Sequence, residues 1–270
     1  MKKALIIFFL FLGSISMYSQ IDRVEPPFWW SGMQAEEVQL MFYGIDIATY
    51  EPSMTQADVL SKISRTENPN YIFVDLNLKD LEAGIYKIDF KKDGKTAFSK
   101  NYKLKERIQD SELKEGFNSS DVIYLISPDR FANGDVSNDI VKTLNETTLD
   151  RSNDYARHGG DIKGITNHLD YIADMGFTAI WSSPLLTNDM KSSSYHGYAM
   201  TDFYQVDPRF GTMEEYIELS KTAKKKGIKL IMDQVANHIG SEHWWMKDLP
   251  ASDWINYQEE FLKNEIVVTN

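Results

Sequence analysis

Three short apolar runs, residues 122–126, 179–183 and 229–235, alternate with helix-patterned segments at 165–175 and 213–226, and this alternation leaves few architectures open. Continuous apolar strands separated by helices form parallel sheets with the helices packed outside. Three strands do not decide between an open sheet and a closed barrel. Upstream, from about residue 20 to 105, the pattern changes to shorter alternating runs such as 38–42, 71–76 and 86–90. Turn signals separate them: Asn68-Pro69-Asn70, Ala83-Gly84 and Lys92-Asp93-Gly94-Lys95. Such runs predict antiparallel strands of a small β-sandwich. A charged stretch then places a linker at about 106–120, ahead of a second domain from 121 to 270.

With 42% hydrophobic residues in 270, the chain has material for two cores. Its 29 Lys+Arg against 40 Asp+Glu give a net charge of -11, which repels phosphate backbones and argues against nucleic acid as a partner. The densest basic cluster, Lys224, Lys225 and Lys226, precedes Gly227 and reads as the solvated last turn of a helix. At the start, Lys2 and Lys3 lead into an apolar run at 4–12 and then small, polar residues through Ser19. That run is too short to span a bilayer and fits a secretory leader over 1–19, so export to the periplasm or exterior is expected, with no membrane span in the mature chain. The absence of cysteine excludes a disulfide framework and a lipidated N-terminal cysteine.

Polar residues follow the third apolar run at once, in Asp233-Gln234-Val235-Ala236-Asn237-His238. Groups at the C-terminal end of a parallel strand sit where α/β enzymes collect their active sites, although a helix cap and a surface histidine would use the same residues. Upstream, His196-Gly197-Tyr198 leads through Asp202 into Val206-Asp207-Pro208-Arg209-Phe210-Gly211-Thr212. An aromatic ring can pack on the C–H face of a pyranose while neighbouring polar groups bind its hydroxyls; an ordinary core tyrosine is the competing reading of Tyr198. A third cluster, Asn133, Asp135, Asn138 and Asp139 followed by His158-Gly159-Gly160-Asp161, offers the hard oxygen donors that calcium prefers. It lacks the twelfth-position glutamate of an EF-hand loop, and a plain Asn/Asp turn is the alternative. Trp29 and Trp30 would point to opposite faces of a strand, one into a core and the other toward sugar or a second protomer, unless both simply pack within the protein. Trp244 and Trp245 either border a cleft or anchor a loop.

Asp-x-Val-x-Asn-His in its strand context, the His-Gly-Tyr loop, and the Asn-x-Asp-x-x-Asn-Asp plus Gly-Gly-Asp segments together resemble glycoside hydrolase family 13, the α-amylase superfamily, in its cyclomaltodextrinase and neopullulanase group. Residues 23–33 and 40–44 resemble that group's N-terminal module. The resemblance implies a β plus α/β fold: an Ig-like N-terminal β-sandwich, then a truncated (β/α)8 TIM barrel comprising its first three strands and, from about residue 239, the start of an inserted domain. It implies cleavage of α-glucans (cyclodextrin, pullulan, starch or maltooligosaccharides) with retention. Asp233 would have a supporting role, and Tyr198, His196, Asp202, Asn237 and His238 would bind substrate. It further implies structural Ca2+ on Asn133, Asp135, Asn138, Asp139, the Gly159 carbonyl and Asp161, and a homodimer.

Retaining glycosidases need two carboxyl groups about 5 Å apart. The family carries its nucleophile in Gly-x-Arg-x-Asp, which this sequence lacks, and residues 265–270, closing on Asn270, look like an interrupted strand. The expectation is a fragment whose nucleophile and general acid lie beyond Asn270, inactive by itself. A noncatalytic α-glucan-binding protein on the same framework is the rival reading, followed by a transglycosylase or isomerase of the family.

Overall fold

The computed structural model describes residues 21–56, 58–108, 116–257 and Lys263. The expected leader at 1–19, part of the linker, and the interrupted strand expected from Glu265 to Asn270 lie outside the described residues. The chain divides between Glu106 and Arg107 into two compact units.

In the first unit the described residues form β1 (Arg23–Glu25), β2 (Trp29–Trp30), β3 (Glu37–Tyr43), β4 (Glu51–Met54), β5 (Leu60–Arg65), β6 (Tyr71–Asn77), β7 (Gly84–Lys92) and β8 (Lys95–Lys105). They make two four-stranded sheets, ordered β1-β3-β6-β5 and β2-β8-β7-β4. Alternation of buried and exposed positions along β3, β6 and β7 sends Leu40, Phe42, Val74, Leu76, Ile88 and Phe90 into one core. There the Phe42 and Phe90 rings meet edge to face at 5.1 Å. Asp93 and Gly94 take positive φ (50° and 74°), as a two-residue hairpin between β7 and β8 requires. One pairing departs from the expected antiparallel pattern: β2 runs parallel to β8, Trp29 opposite Leu104 and Trp30 opposite Lys105. These strands are far apart in sequence, so no hairpin forces their directions to oppose. Trp29 packs against the core. Trp30 instead meets Phe28 edge to face at 5.2 Å, with the Lys105 ammonium over the Phe28 ring.

The second unit holds β9 (Ile123–Ile126), β10 (Ala179–Ser182) and β11 (Lys229–Met232), all parallel and adjacent in chain order. Its helices are α1 (Pro128–Phe131), α2 (Ile162–Asn167), α3 (Leu169–Asp174) and α4 (Met213–Lys225). The sequential strand order with helices against one face is what the opening segment of the expected (β/α)8 barrel requires. Asp121 pins the N-terminal ends of the strands, accepting from Lys229 Nζ at 2.9 Å and Thr178 Oγ1 at 2.8 Å. The Lys229 hydrogen bond, helped by the Asn118 backbone and Thr178, holds the Asp121 carboxyl down at about 2.

The single helix expected over 165–175 begins earlier and breaks at His168. The His168 Nδ1 lies 2.7 Å from the Gly164 carbonyl, the acceptor its own backbone N–H would use in an unbroken helix, and that N–H turns to Ile165 instead. Ile126, Ile162, Ile165, Leu169, Ile180 and Leu219 fill the core between sheet and helices. On the opposite face Leu125 is 61% exposed, and Trp181 and Met232 are also exposed. In a closed barrel that face is the packed interior. β11 stops at Met232, short of the run to 235, so Asp233 is the first residue past the strand's end. Among the described residues no helix is long and apolar enough to cross a membrane.

Candidate functional site

Asp233 and Trp181 meet at the C-terminal ends of neighbouring strands, because the register sets Trp181 beside Ile231. The Asp233 Oδ2 accepts hydrogen bonds from Trp181 Nε1 at 3.1 Å and from the Tyr198 hydroxyl at 2.9 Å. Both donors fall on one oxygen, leaving Oδ1 to accept from a ligand. Burial, then the Asp233 hydrogen bond and charge, push the Tyr198 phenol above its ordinary value, so it remains a donor across the physiological range. The ring itself is 39% exposed. His238 Nε2 lies 2.9 Å from the Tyr198 carbonyl, and its Nδ1 lies 2.6 Å from Asn237 Nδ2. With the amide donating to Nδ1, the neutral ring donates from Nε2. His196 Nδ1 accepts the Tyr198 N–H at 2.9 Å, and the two rings stack at 6.0 Å. Burial lowers the His196 imidazole, with His238 adding to the shift and Glu146 opposing it.

Thus Tyr198, His196, Asp233, Asn237 and His238 are joined in one hydrogen-bonded cluster. Asp202 is placed differently: it is buried, and its carboxylate accepts the Tyr204 N–H at 2.8 Å and the Gln205 amide at 3.3 Å, shaping the next turn. Gly197 makes the sharp exit toward Tyr198 possible. Its φ is 82°, and a Cβ there would lie 2.1 Å from the Pro184 carbonyl oxygen.

Beneath this turn lies a buried network that sequence reasoning does not reach. Arg209 grips Asp207 through Nε at 2.9 Å and Nη2 at 2.7 Å, and also donates to the carbonyls of Glu146 at 3.1 Å and Asn188 at 2.7 Å. Burial would raise the Asp207 carboxyl, but hydrogen bonds and charge from Arg209, with Arg157 nearby, bring it below its usual range. Arg157, held below the ordinary guanidinium value by burial, donates to Ser194 Oγ at 3.3 Å and lies 3.7 Å from Asp129. Trp181 also escapes a sequence reading, since a tryptophan inside an apolar strand reads as core.

The proposed metal donors cluster between the α1 loop and the start of α2. Asp161 caps α2 through Gly164 N–H at 2.6 Å and accepts the N–H groups of Gly134 at 3.0 Å and Asp135 at 2.8 Å. The amide oxygens Oδ1 of Asn133 and Asn138 are buried and accept no hydrogen bond among the described residues. A Cβ at Gly159 would lie 2.6 Å from Asp139 Oδ1, so this loop is a close cradle. Two orphaned oxygens beside two carboxylates fit a hard cation. Among the described residues no group of three carboxylates, imidazoles or thiols converges on such a point, so any donor set here would have to include the amides. Trp245 packs within a loop cluster, tilted 4.5 Å from the buried His243 ring and edge to face with Trp254 at 5.1 Å, which favours anchoring over lining a cleft.

Residues 125–267 match the family model for the alpha amylase catalytic domain, and residues 23–108 match that for the cyclomaltodextrinase N-terminal domain. The chain is 35% identical over 149 residues to neopullulanase 2 of Thermoactinomyces vulgaris, covering 55% of this chain and 25% of that protein. It is 37% identical over 147 residues to a cyclomaltodextrinase of Thermoanaerobacter pseudethanolicus, covering 51% and 24%. With a beta/alpha-amylase of Paenibacillus polymyxa the figures are 47% over 122 residues, 45% and 10%. The chain therefore spans a quarter or less of the length of these curated relatives. Among solved structures, an Anoxybacillus α-amylase is 44% identical with a TM-score of 0.43, covering 47% of this chain and 26% of that one.

Proposed function

The chain belongs to the family of α-amylase catalytic domains, and from that premise we propose that it forms the sugar-seating part of a retaining α-glucan hydrolase. The observation that carries this is the Asp233 carboxylate, held on one oxygen by Tyr198 and Trp181 beside a half-exposed aromatic ring. The ring offers a face for the C–H groups of one glucose unit, while Asp233 Oδ1 and the His196 and His238 edges are polar neighbours for its hydroxyls. Substrates of this reading are cyclodextrin, pullulan, starch or maltooligosaccharides. A nucleophile and a general acid about 5 Å apart are still required for retention, and among the described residues no second carboxylate shares the hydrogen bonds of the Asp233 cluster. This reading assigns both to sequence beyond Asn270, in keeping with the quarter or less of its curated relatives that the chain spans.

Structural calcium belongs to the same proposal, held by Asn133, Asp135, Asn138, Asp139, the Gly159 carbonyl and Asp161. Bound there, the cation would supply cross-linking charge to the α1 loop. Export through a leader at 1–19 and homodimer formation complete the reading.

Tryptophan fluorescence of this chain titrated with maltoheptaose tests it, since Trp181 abuts the site. Saturable quenching is expected, with affinity falling about tenfold in Tyr198→Ala, and no reducing sugar released by the chain alone. Absence of binding at millimolar sugar, or an unchanged affinity in the variant, would rule the platform out. Turnover by this polypeptide would show that its catalytic carboxylates lie within it and not past Asn270.

A further inference from the structure

We infer that Glu146 is a positioning residue for the Tyr198 ring, acting through Ser194 from the buried charge network beneath it. The geometry stands without the sugar reading, and only its consequence for binding rests on that reading. Ser194 is fully buried, and each of its polar groups is held by a different residue. Its N–H donates to Glu146 Oε2 at 2.8 Å, its Oγ accepts from Arg157 Nη1 at 3.3 Å, and its carbonyl accepts from Asn188 Nδ2 at 3.2 Å.

The turn Ser194–His196 does not hold this shape unaided. Ser193 before it and Gly197 after it both have left-handed φ, 57° and 82°. A non-glycine residue in that region is strained and persists only where its surroundings fix it. From the turn the path to the ring is short: His196 Nδ1 accepts the Tyr198 N–H, and the imidazole stacks on the phenol ring. A carboxylate 48 residues upstream thereby sets the direction in which a half-exposed ring leaves the backbone.

Glu146 is itself buried at 6% exposure, and its backbone carbonyl is tied to Arg209 at 3.1 Å, so side chain and main chain are both anchored. A buried carboxylate contributes little net stability compared with an apolar residue of similar size. What it provides here, and an apolar group does not, is an acceptor for one specific backbone N–H.

The test uses this chain labelled with 13C/15N in histidine and tyrosine. In Glu146→Ala the His196 Nδ1 and Tyr198 ring resonances should move and broaden, with maltoheptaose affinity about tenfold weaker, since misplacement of a binding group is costly. Glu146→Gln, whose amide oxygen accepts the same N–H, should restore both. Ser194→Ala removes only the Arg157 link and should move the same resonances less; Glu146→Asp, one methylene short of the Ser194 N–H, decides the matter should Glu146→Ala not fold. A Glu146 that merely stabilises the fold would leave both sets of resonances in place and lower only the unfolding midpoint. Unmoved resonances in Glu146→Ala overturn the inference, as do unmoved resonances in Glu146→Asp where Glu146→Ala unfolds. Displaced resonances in a chain that binds no sugar support the positioning role and defeat the platform reading alone.

Discussion

Asp207 and Arg209 face one another with neither side chain exposed, a pair whose loss leaves an uncompensated charge in the interior. Asp207→Asn should destabilise the second unit by about 3–5 kcal/mol. The pH dependence has a definite sign. The folded carboxyl sits below its unfolded value of about 3.9, so the unfolded chain binds the proton more readily. The stabilisation is complete above that value and is lost as pH falls through the lower, folded one. Urea midpoints measured against pH should therefore drop at the acid end for the wild type and flatten there for Asp207→Asn. The long-range connections of this network were not legible in the sequence. Glu146 and Arg209 lie 63 positions apart and Arg157 and Ser194 lie 37 apart, with no local pattern to join them. Asp233, Asn237 and His238 were legible as candidates, because a strand that runs straight into polar residues draws attention to its C-terminal end. Tyr198 was legible only through its neighbours, and Trp181 not at all.

α4 fills the helix expected over 213–226. Thr212-x-x-Glu215 ahead of an apolar stripe is a capping box, and both its bonds form: Thr212 Oγ1 accepts the Glu215 N–H at 3.1 Å, and Glu215 Oε2 accepts the Thr212 N–H at 2.8 Å. Thr212→Ala should cost about 1 kcal/mol in the second unit's chemical denaturation and leave the first unit's unchanged. The alternating runs of the sandwich and its Asp93-Gly94 turn were equally readable, since period and turn chemistry are local. The split at His168 was not, because it depends on a side chain taking a carbonyl from its own helix. Nor was the direction of β2, which is set by the open edge it finds on β8 and not by its two residues. The end of β11 fell three residues before the apolar run does, a boundary that packing decides.

A core between the sandwich sheets of the first unit and another between strands and helices of the second predict that the whole chain unfolds in two steps. Calorimetry should resolve two transitions, with calcium raising the one that belongs to the second unit and leaving the sandwich where it is. A single transition, or a shift of both, would count against independent cores or against the calcium reading respectively. The seam at the end of the sandwich has a mechanical side. β2 lies alongside the last residues of β8 and runs the same way, Trp29 against Leu104 and Trp30 against Lys105. Tension drawn along the strands at that point loads those bonds crosswise and all together. They must slide past one another under shear, where a hairpin would peel open bond by bond. The first unit is thus fastened against a tug at the very place where the chain leaves it.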